Sequence, residues 1–181
     1  MSAGGSLLFE ATLPESSLQQ VVSLLVPLLG PGVWLFLEGD LGAGKTTLTR
    51  ALLSALGSME HGRSPTFSLL DVVPLSKPVP TSRGELVRIL HLDLYRLKNG
   101  RELTFLGLEG EFRKGTAAIF EWASQVAEDE WEDFFQATGC RRPERILTLE
   151  INRVQTSTNG LCSQRHYVLA ETPALRHFFR T

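Results

Sequence analysis

An α/β fold, with a mostly parallel central sheet flanked by helices and an antiparallel C-terminal hairpin, is predicted by three features of this sequence. An apolar run at residues 33–37 leads directly into Glu38-Gly39-Asp40-Leu41-Gly42-Ala43-Gly44-Lys45-Thr46-Thr47, which satisfies G-x-x-x-x-G-K-[ST]. A second compact apolar run, residues 117–120, reads as another buried parallel strand. Two later runs, residues 145–154 and 165–170, are joined by the polar stretch 155–160 and read as a hairpin at a sheet edge.

Taken in order, Leu7, Leu8 and Phe9 predict a short first strand, and Thr12-Leu13-Pro14-Glu15 matches a capping box that starts a helix. Leu18, Val21, Val22, Leu25, Leu28 and Leu29 recur at spacings of three and four, which gives that helix one apolar face. Pro27, Gly30 and Pro31 end it. Trp34 is expected to pack in the core or against this helix. The helix that follows the glycine loop should stop near Leu56, with Gly57 in the left-handed cap.

Residues 68–73 predict a strand, whereas Pro74, Pro78, Pro80 and Gly84 predict a long surface loop. Residues 86–94 resume as a strand. Around Gly107 the apolar residues are too closely spaced for one long helix, so short helical turns fit. The acids on either side of Trp131, and the cluster Arg141, Arg142, Glu144 and Arg145, read as solvated faces with local pairs. A last helix is expected from Pro173.

Length and composition narrow the class. The 181 residues fit a single domain spanning 1–181 and suffice for a core of its own. Hydrophobic residues at 43% and charged residues at 21% indicate a globular chain and exclude a disordered tail. A formal net charge of -2 means that the molecule as a whole does not attract nucleic acid, although a local basic patch is compatible with it. Cys140 and Cys162 have no companion metal-ligand spacing. The first five residues carry neither the basic nor the apolar region of a signal peptide, and no run is long enough to span a membrane; a cytoplasmic protein is expected.

The glycine loop carries the chemistry. Gly39, Gly42 and Gly44 let the backbone bend until successive N–H groups converge on phosphate oxygens. Lys45 would bring its ammonium to the β- and γ-phosphates, and Thr46 its hydroxyl to Mg²⁺, at a helix N-terminus that favours anions. A glycine turn with a chance lysine is the alternative; the strand before the loop and Leu48, Leu52 and Leu56 after it favour nucleotide binding. Asp93 ends a neighbouring strand, where it either holds Mg²⁺ or serves as a helix cap or a partner of Arg96. Glu121 and Trp122 arrive together at the strand end where ligands collect in open α/β sheets. His91 reads as a hydrogen-bonding residue of its strand. Tyr95 and Arg96 read either as local packing or as a partner contact.

Three further strings stand beside the loop: Ser64-Pro65-Thr66-Phe67, His91-Leu92-Asp93-Leu94-Tyr95-Arg96 and Glu121-Trp122. In order and approximate spacing, over about residues 12 to 122, they resemble the TsaE family, the small ATPases of bacterial threonylcarbamoyladenosine tRNA modification. The resemblance implies a P-loop NTPase fold, binding of ATP and Mg²⁺, and association with a TsaB–TsaD pair that modifies adenosine 37 of tRNA, so that the link to tRNA is indirect. By position it implies that Lys45 and the loop residues 39–47 bind phosphates and that Thr46 and Asp93 hold Mg²⁺. It further implies that Thr66 approaches the γ-phosphate, that Glu121 orients water near the metal, and that Trp122 lies beside the nucleotide or at the partner interface. Two stretches, residues 68–90 and 123–143, are longer than is usual in the family.

No arginine finger is assignable, so slow hydrolysis alone and stimulation in the complex are expected. Two rivals use the same loop. A small-molecule kinase would need an acceptor pocket and an arginine-bearing lid, for which residues 74–83 offer one arginine. A nucleotide-gated adaptor would bind ATP with little turnover.

Overall fold

The computed structural model describes residues 6–58, 69–154 and 163–172. Seven strands, β1 (Ser6–Pro14), β2 (Val33–Glu38), β3 (Leu70–Thr81), β4 (Gly84–Asp93), β5 (Thr116–Glu121), β6 (Arg145–Val154) and β7 (Gln164–Thr172), form one sheet in the order β1-β7-β6-β2-β5-β4-β3. The central pairings β6–β2, β2–β5 and β5–β4 are parallel, and the outer ones are antiparallel. Among the described residues three α-helices, α1 (Leu18–Leu25), α2 (Lys45–Ala55) and α3 (Glu128–Thr138), cover the two faces.

The alternation of a strand explains why Val33-Trp34-Leu35-Phe36-Leu37 is apolar throughout. Val33, Leu35 and Leu37 join the core under α1 and α2, while Trp34 and Phe36 join a second core under α3. Trp34 therefore packs on the face away from the first helix, against Phe112, Phe120, Trp131 and Phe135. Each fully buried aromatic or aliphatic side chain contributes about 1.5–3 kcal/mol. The second helix ends as its sequence requires, with Gly57 at φ +83°.

Several expectations are corrected. The first strand continues through Pro14, and the capping box does not form: the Thr12 hydroxyl bonds His166 Nδ1 across the β1–β7 ladder at 3.0 Å, and α1 starts only at Leu18 after a 3₁₀ turn. Cross-strand pairing takes the side chain that the cap would have used. The long loop expected at residues 74–84 is instead the far half of β3 and a tight turn into β4. Prolines are tolerated because β3 is an edge strand, and its register shifts between Pro74 and Val79. The β6–β7 hairpin forms, but it is not at the edge, since β1 covers β7. The acids around Trp131 do form a solvated face with local pairs such as Glu132–Arg142; what the sequence reading lacked is that they lie on helix α3, whose Trp131, Phe134 and Phe135 are buried. The polar segment 155–160, the helix expected from Pro173 and the string Ser64-Pro65-Thr66-Phe67 lie outside the described residues.

Candidate functional site

The parallel strands β2, β4 and β5 deliver their carboxyl ends to one place. Gly39 leaves β2 at φ +132°, and a Cβ there would lie 2.1 Å from the Ile151 carbonyl oxygen, so no other residue fits without moving β6. Gly44, at φ +111°, is the N-cap of α2 and has open space where a side chain would stand. The loop and its neighbours bound a cavity of about 240 Å³, lined among others by Gly42, Lys45, Thr46, Asp93, Glu121 and Trp122. Leu41, Gly44 and Thr47 also reach it. Asp40 is exposed at the loop tip, whereas Ala43 is buried beneath it and donates its N–H to the Asp40 carbonyl at 3.0 Å.

Lys45 opens α2 and is only 4% exposed. Its ammonium donates to the Gly39 and Asp40 carbonyls at 2.5 and 3.0 Å and lies 3.5 Å from the centre of the Trp122 ring. Burial lowers its pKa, against the opposing pull of Glu121, Glu38, Asp93 and Asp40. Trp122 reaches this position through a left-handed backbone, φ +63°, alone among the described non-glycine residues. Such a conformation costs about 1–2 kcal/mol. The strain is offset by the bond from Trp122 N–H to the Leu37 carbonyl and by ring packing on Tyr95 at 4.9 Å.

Glu121 is 2% exposed and accepts from three donors. One oxygen accepts from the Thr46 hydroxyl at 2.7 Å; the other accepts from His91 Nε2 at 2.9 Å and from the Thr49 hydroxyl at 3.2 Å. Burial pushes the carboxyl upward, but the His91 hydrogen bond and charge, with the two threonine hydroxyls, bring it below the ordinary glutamate value. Asp93 stands opposite Glu121 in the β4–β5 register and accepts from the Tyr95 N–H at 3.2 Å, which is the capping alternative raised by its position. Burial raises its pKa, Tyr95 N–H opposes, and Glu121 adds to the rise.

The structure thus brings Lys45, Thr46, Asp93, Glu121 and Trp122 around one cavity; Thr66 lies outside the described residues. Among the described residues no group of three His, Cys, Asp or Glu side chains could hold a metal by itself. A divalent ion would therefore rest on Thr46 and one or two carboxylates and take its remaining ligands from phosphate and water, the usual shell for Mg²⁺. The open cradle at Gly44 and this donor set fit a magnesium triphosphate.

Three contributors escaped the sequence reading. Arg153 donates through Nε and Nη2 to the Gly42 carbonyl, at 3.1 and 2.5 Å, and Arg165 Nε donates to the Ala43 carbonyl at 3.0 Å. The two arginines face each other across the β6–β7 ladder, more than a hundred positions from the loop they hold. Glu38 accepts from the Ser124 N–H and hydroxyl at 2.9 and 2.7 Å, tying the end of β2 to the turn after Trp122. No local pattern in the sequence connects the two arginines to the loop; the β6–β7 pairing brings them there.

Strand order, loop and cradle define a protein of the P-loop nucleotide-binding class. The family model described as "Threonylcarbamoyl adenosine biosynthesis protein TsaE" matches residues 13–158, and the chain belongs to the TsaE family. It is 31% identical over 151 residues to the tRNA threonylcarbamoyladenosine biosynthesis protein TsaE of Bacillus subtilis, a stretch covering 83% of this chain and 88% of that relative. With the protein of the same name from Haemophilus influenzae, identity is 37% over 93 residues, spanning 51% of this chain and 53% of the relative. With that of Streptomyces coelicolor it is 37% over 110 residues, or 60% and 69%. No helix among the described residues is long and apolar enough to cross a membrane.

Proposed function

We propose that this chain is a single-domain, Mg²⁺-dependent ATPase that supports a TsaB–TsaD type complex in the threonylcarbamoyladenosine modification of adenosine 37 in tRNA, in the cytoplasm. The observation that carries the nucleotide part is the convergence of the glycine loop, buried Lys45, Thr46, Asp93 and Glu121 on one cavity. The pathway and partners rest on family membership.

Lys45 neutralises the β- and γ-phosphates once it leaves the Gly39 and Asp40 carbonyls, and loop N–H groups from residues 39–47 bind the phosphate oxygens. Thr46 and Asp93 hold Mg²⁺, with Glu121 beside it; the ion, when bound, neutralises charge spreading over the phosphoryl oxygens. Glu121 orients the attacking water, and a γ-phosphate role is assigned to Thr66 from its place in the family motif alone. Trp122 borders the nucleotide. Thr46, Thr49 and His91 donate to three of the roughly four acceptor sites of the Glu121 carboxylate, which leaves about one for water. Slow turnover by the chain alone is expected because no arginine finger is assignable from the sequence.

The kinase alternative is weakened by the fold. Residues 74–83 belong to the β3–β4 hairpin, and Arg83 pairs with Glu144 before β6, at the other end of the sheet from the cradle. Phosphate release measured with and without the TsaB–TsaD pair tests the proposal. Stimulation by the pair is the expected result. Release that is absent in both conditions, with ATP bound, would leave a nucleotide-gated adaptor; no uptake of magnesium ATP by folded protein would remove the reading altogether.

A further inference from the structure

At the amino-terminal end of the parallel strands, a second cavity of about 280 Å³ opens between the turns before β2, β4, β5 and β6. Its wall carries Arg83, Arg113, Lys114, Arg141 and Arg142 against one acid, Glu144. Glu144 is shared, accepting from Arg83 and from Arg141, each at 2.6 Å. Arg142 is held by Glu132 at 2.6 Å and lies over the Phe135 ring. Arg113 comes only within 3.9 Å of Glu111, whose nearer partner is Arg88 at 2.8 Å.

A carboxylate that serves two guanidiniums leaves one positive charge uncompensated. The cluster therefore gathers six cations on three acids, an excess of three positive charges in a chain whose net charge is -2. Arg113 and Arg141 keep 67% and 69% of their side chains exposed, and Lys114 is exposed as well. Fixed guanidiniums match phosphate oxygens, and exposed basic groups attract a polyanion from a distance. Half-buried Phe112, packed on Trp34 at 4.9 Å, adds an aromatic wall of the kind on which unpaired bases stack. The volume lies just under the roughly 300–1,000 Å³ of sites that enclose a whole small ligand, which suits one unit of a longer polymer.

We propose that this basic cavity is an RNA contact, seating a backbone phosphate and its neighbouring unpaired base. The choice of RNA among polyanions rests on the tRNA pathway proposed above; the site itself is separate from the nucleotide cradle and uses none of its residues.

The test is fluorescence anisotropy of the full chain with a fluorescein-labelled tRNA anticodon stem–loop, titrated at several salt concentrations. The expected result is salt-dependent binding that weakens about tenfold or more in Arg113→Glu/Lys114→Glu, with the log–log salt slope reduced by roughly one to two. The milder Arg113→Gln/Lys114→Gln should show a smaller loss in the same direction, with both variants melting as the wild type does. Lys45→Ala should bind this RNA as wild type does, which separates the site from the cradle. Equal RNA binding by wild type and the charge reversal overturns the proposal. So does failure to bind RNA while inorganic phosphate, AMP or polyglutamate binds at Arg113 and Lys114, which would assign the cavity to a small anion or an acidic protein.

Discussion

At the carboxyl end of the parallel strands Lys45 is 4% exposed and fixed by two carbonyls and a tryptophan ring, whereas at the amino end Arg113 and Arg141 leave about two thirds of their side chains in water. The acids divide the same way: Glu121 is enclosed by three donors, while Glu144 is a half-exposed bridge between arginines. Charges held out of water act strongly over short distances and tolerate little displacement. Charges left in water act weakly, at longer range, and fade with salt. One sheet therefore carries a rigid, short-range end and a soft, long-range end.

The largest effect should separate the two ends most clearly. Lys45→Ala should lower ATP turnover by about a hundredfold or more and weaken ATP binding, as loss of a fixed charge-stabilising donor does. The charge reversal at Arg113 and Lys114 should leave phosphate release at the wild-type rate. A large loss of hydrolysis in the latter would join the ends and break the comparison.

Glu121→Gln sharpens the rigid end from within. Turnover should fall about tenfold or more, while calorimetry gives an ATP affinity close to wild type; unchanged hydrolysis would remove the water-orienting role. The same variant carries a pH signature. Because the folded carboxyl titrates below its ordinary value, its contribution to stability is complete above that value and is lost as pH falls through the folded one. The gap in Tm between wild type and Glu121→Gln should be full near neutrality and close on the acid side of the ordinary glutamate range.

A backbone comparison comes next. Gly39→Ala meets the Ile151 carbonyl and should destabilise the fold by about 2–4 kcal/mol, read from urea unfolding. Gly44→Ala has only its left-handed backbone to contend with and should cost about 1–2 kcal/mol. Smallest of all, Arg113→Ala should stay within about 0.5 kcal/mol of wild type in the same measurement, as expected for an exposed side chain.

The rigid end was legible in the sequence because its parts are contiguous or end apolar runs: the glycine loop, Asp93 as the last residue of β4, and Glu121 as the last of β5 with Trp122 next to it. Arg153 and Arg165 were not legible, since a pairing across β6 and β7 brings them to a loop that no local pattern connects to them. The soft end was invisible for a related reason. It is assembled from four turns, and Arg141 and Arg142 taken alone resemble any solvated cluster. Elsewhere local signals were overruled by the sheet: Thr12 bonds across a ladder where a cap was expected, and three prolines that suggest a loop lie in an edge strand that tolerates them. The acids around Trp131 masked a helix because its buried face is only three aromatic residues wide.

Pro74, Pro78 and Pro80 have a bearing on how copies of this protein meet one another. Among the described residues β3 is the last strand of the sheet, where a neighbouring chain could add itself, and a residue without an amide hydrogen cannot donate to such an addition. Three such positions in one strand make the β3 side a poorer template for self-addition between crowded copies.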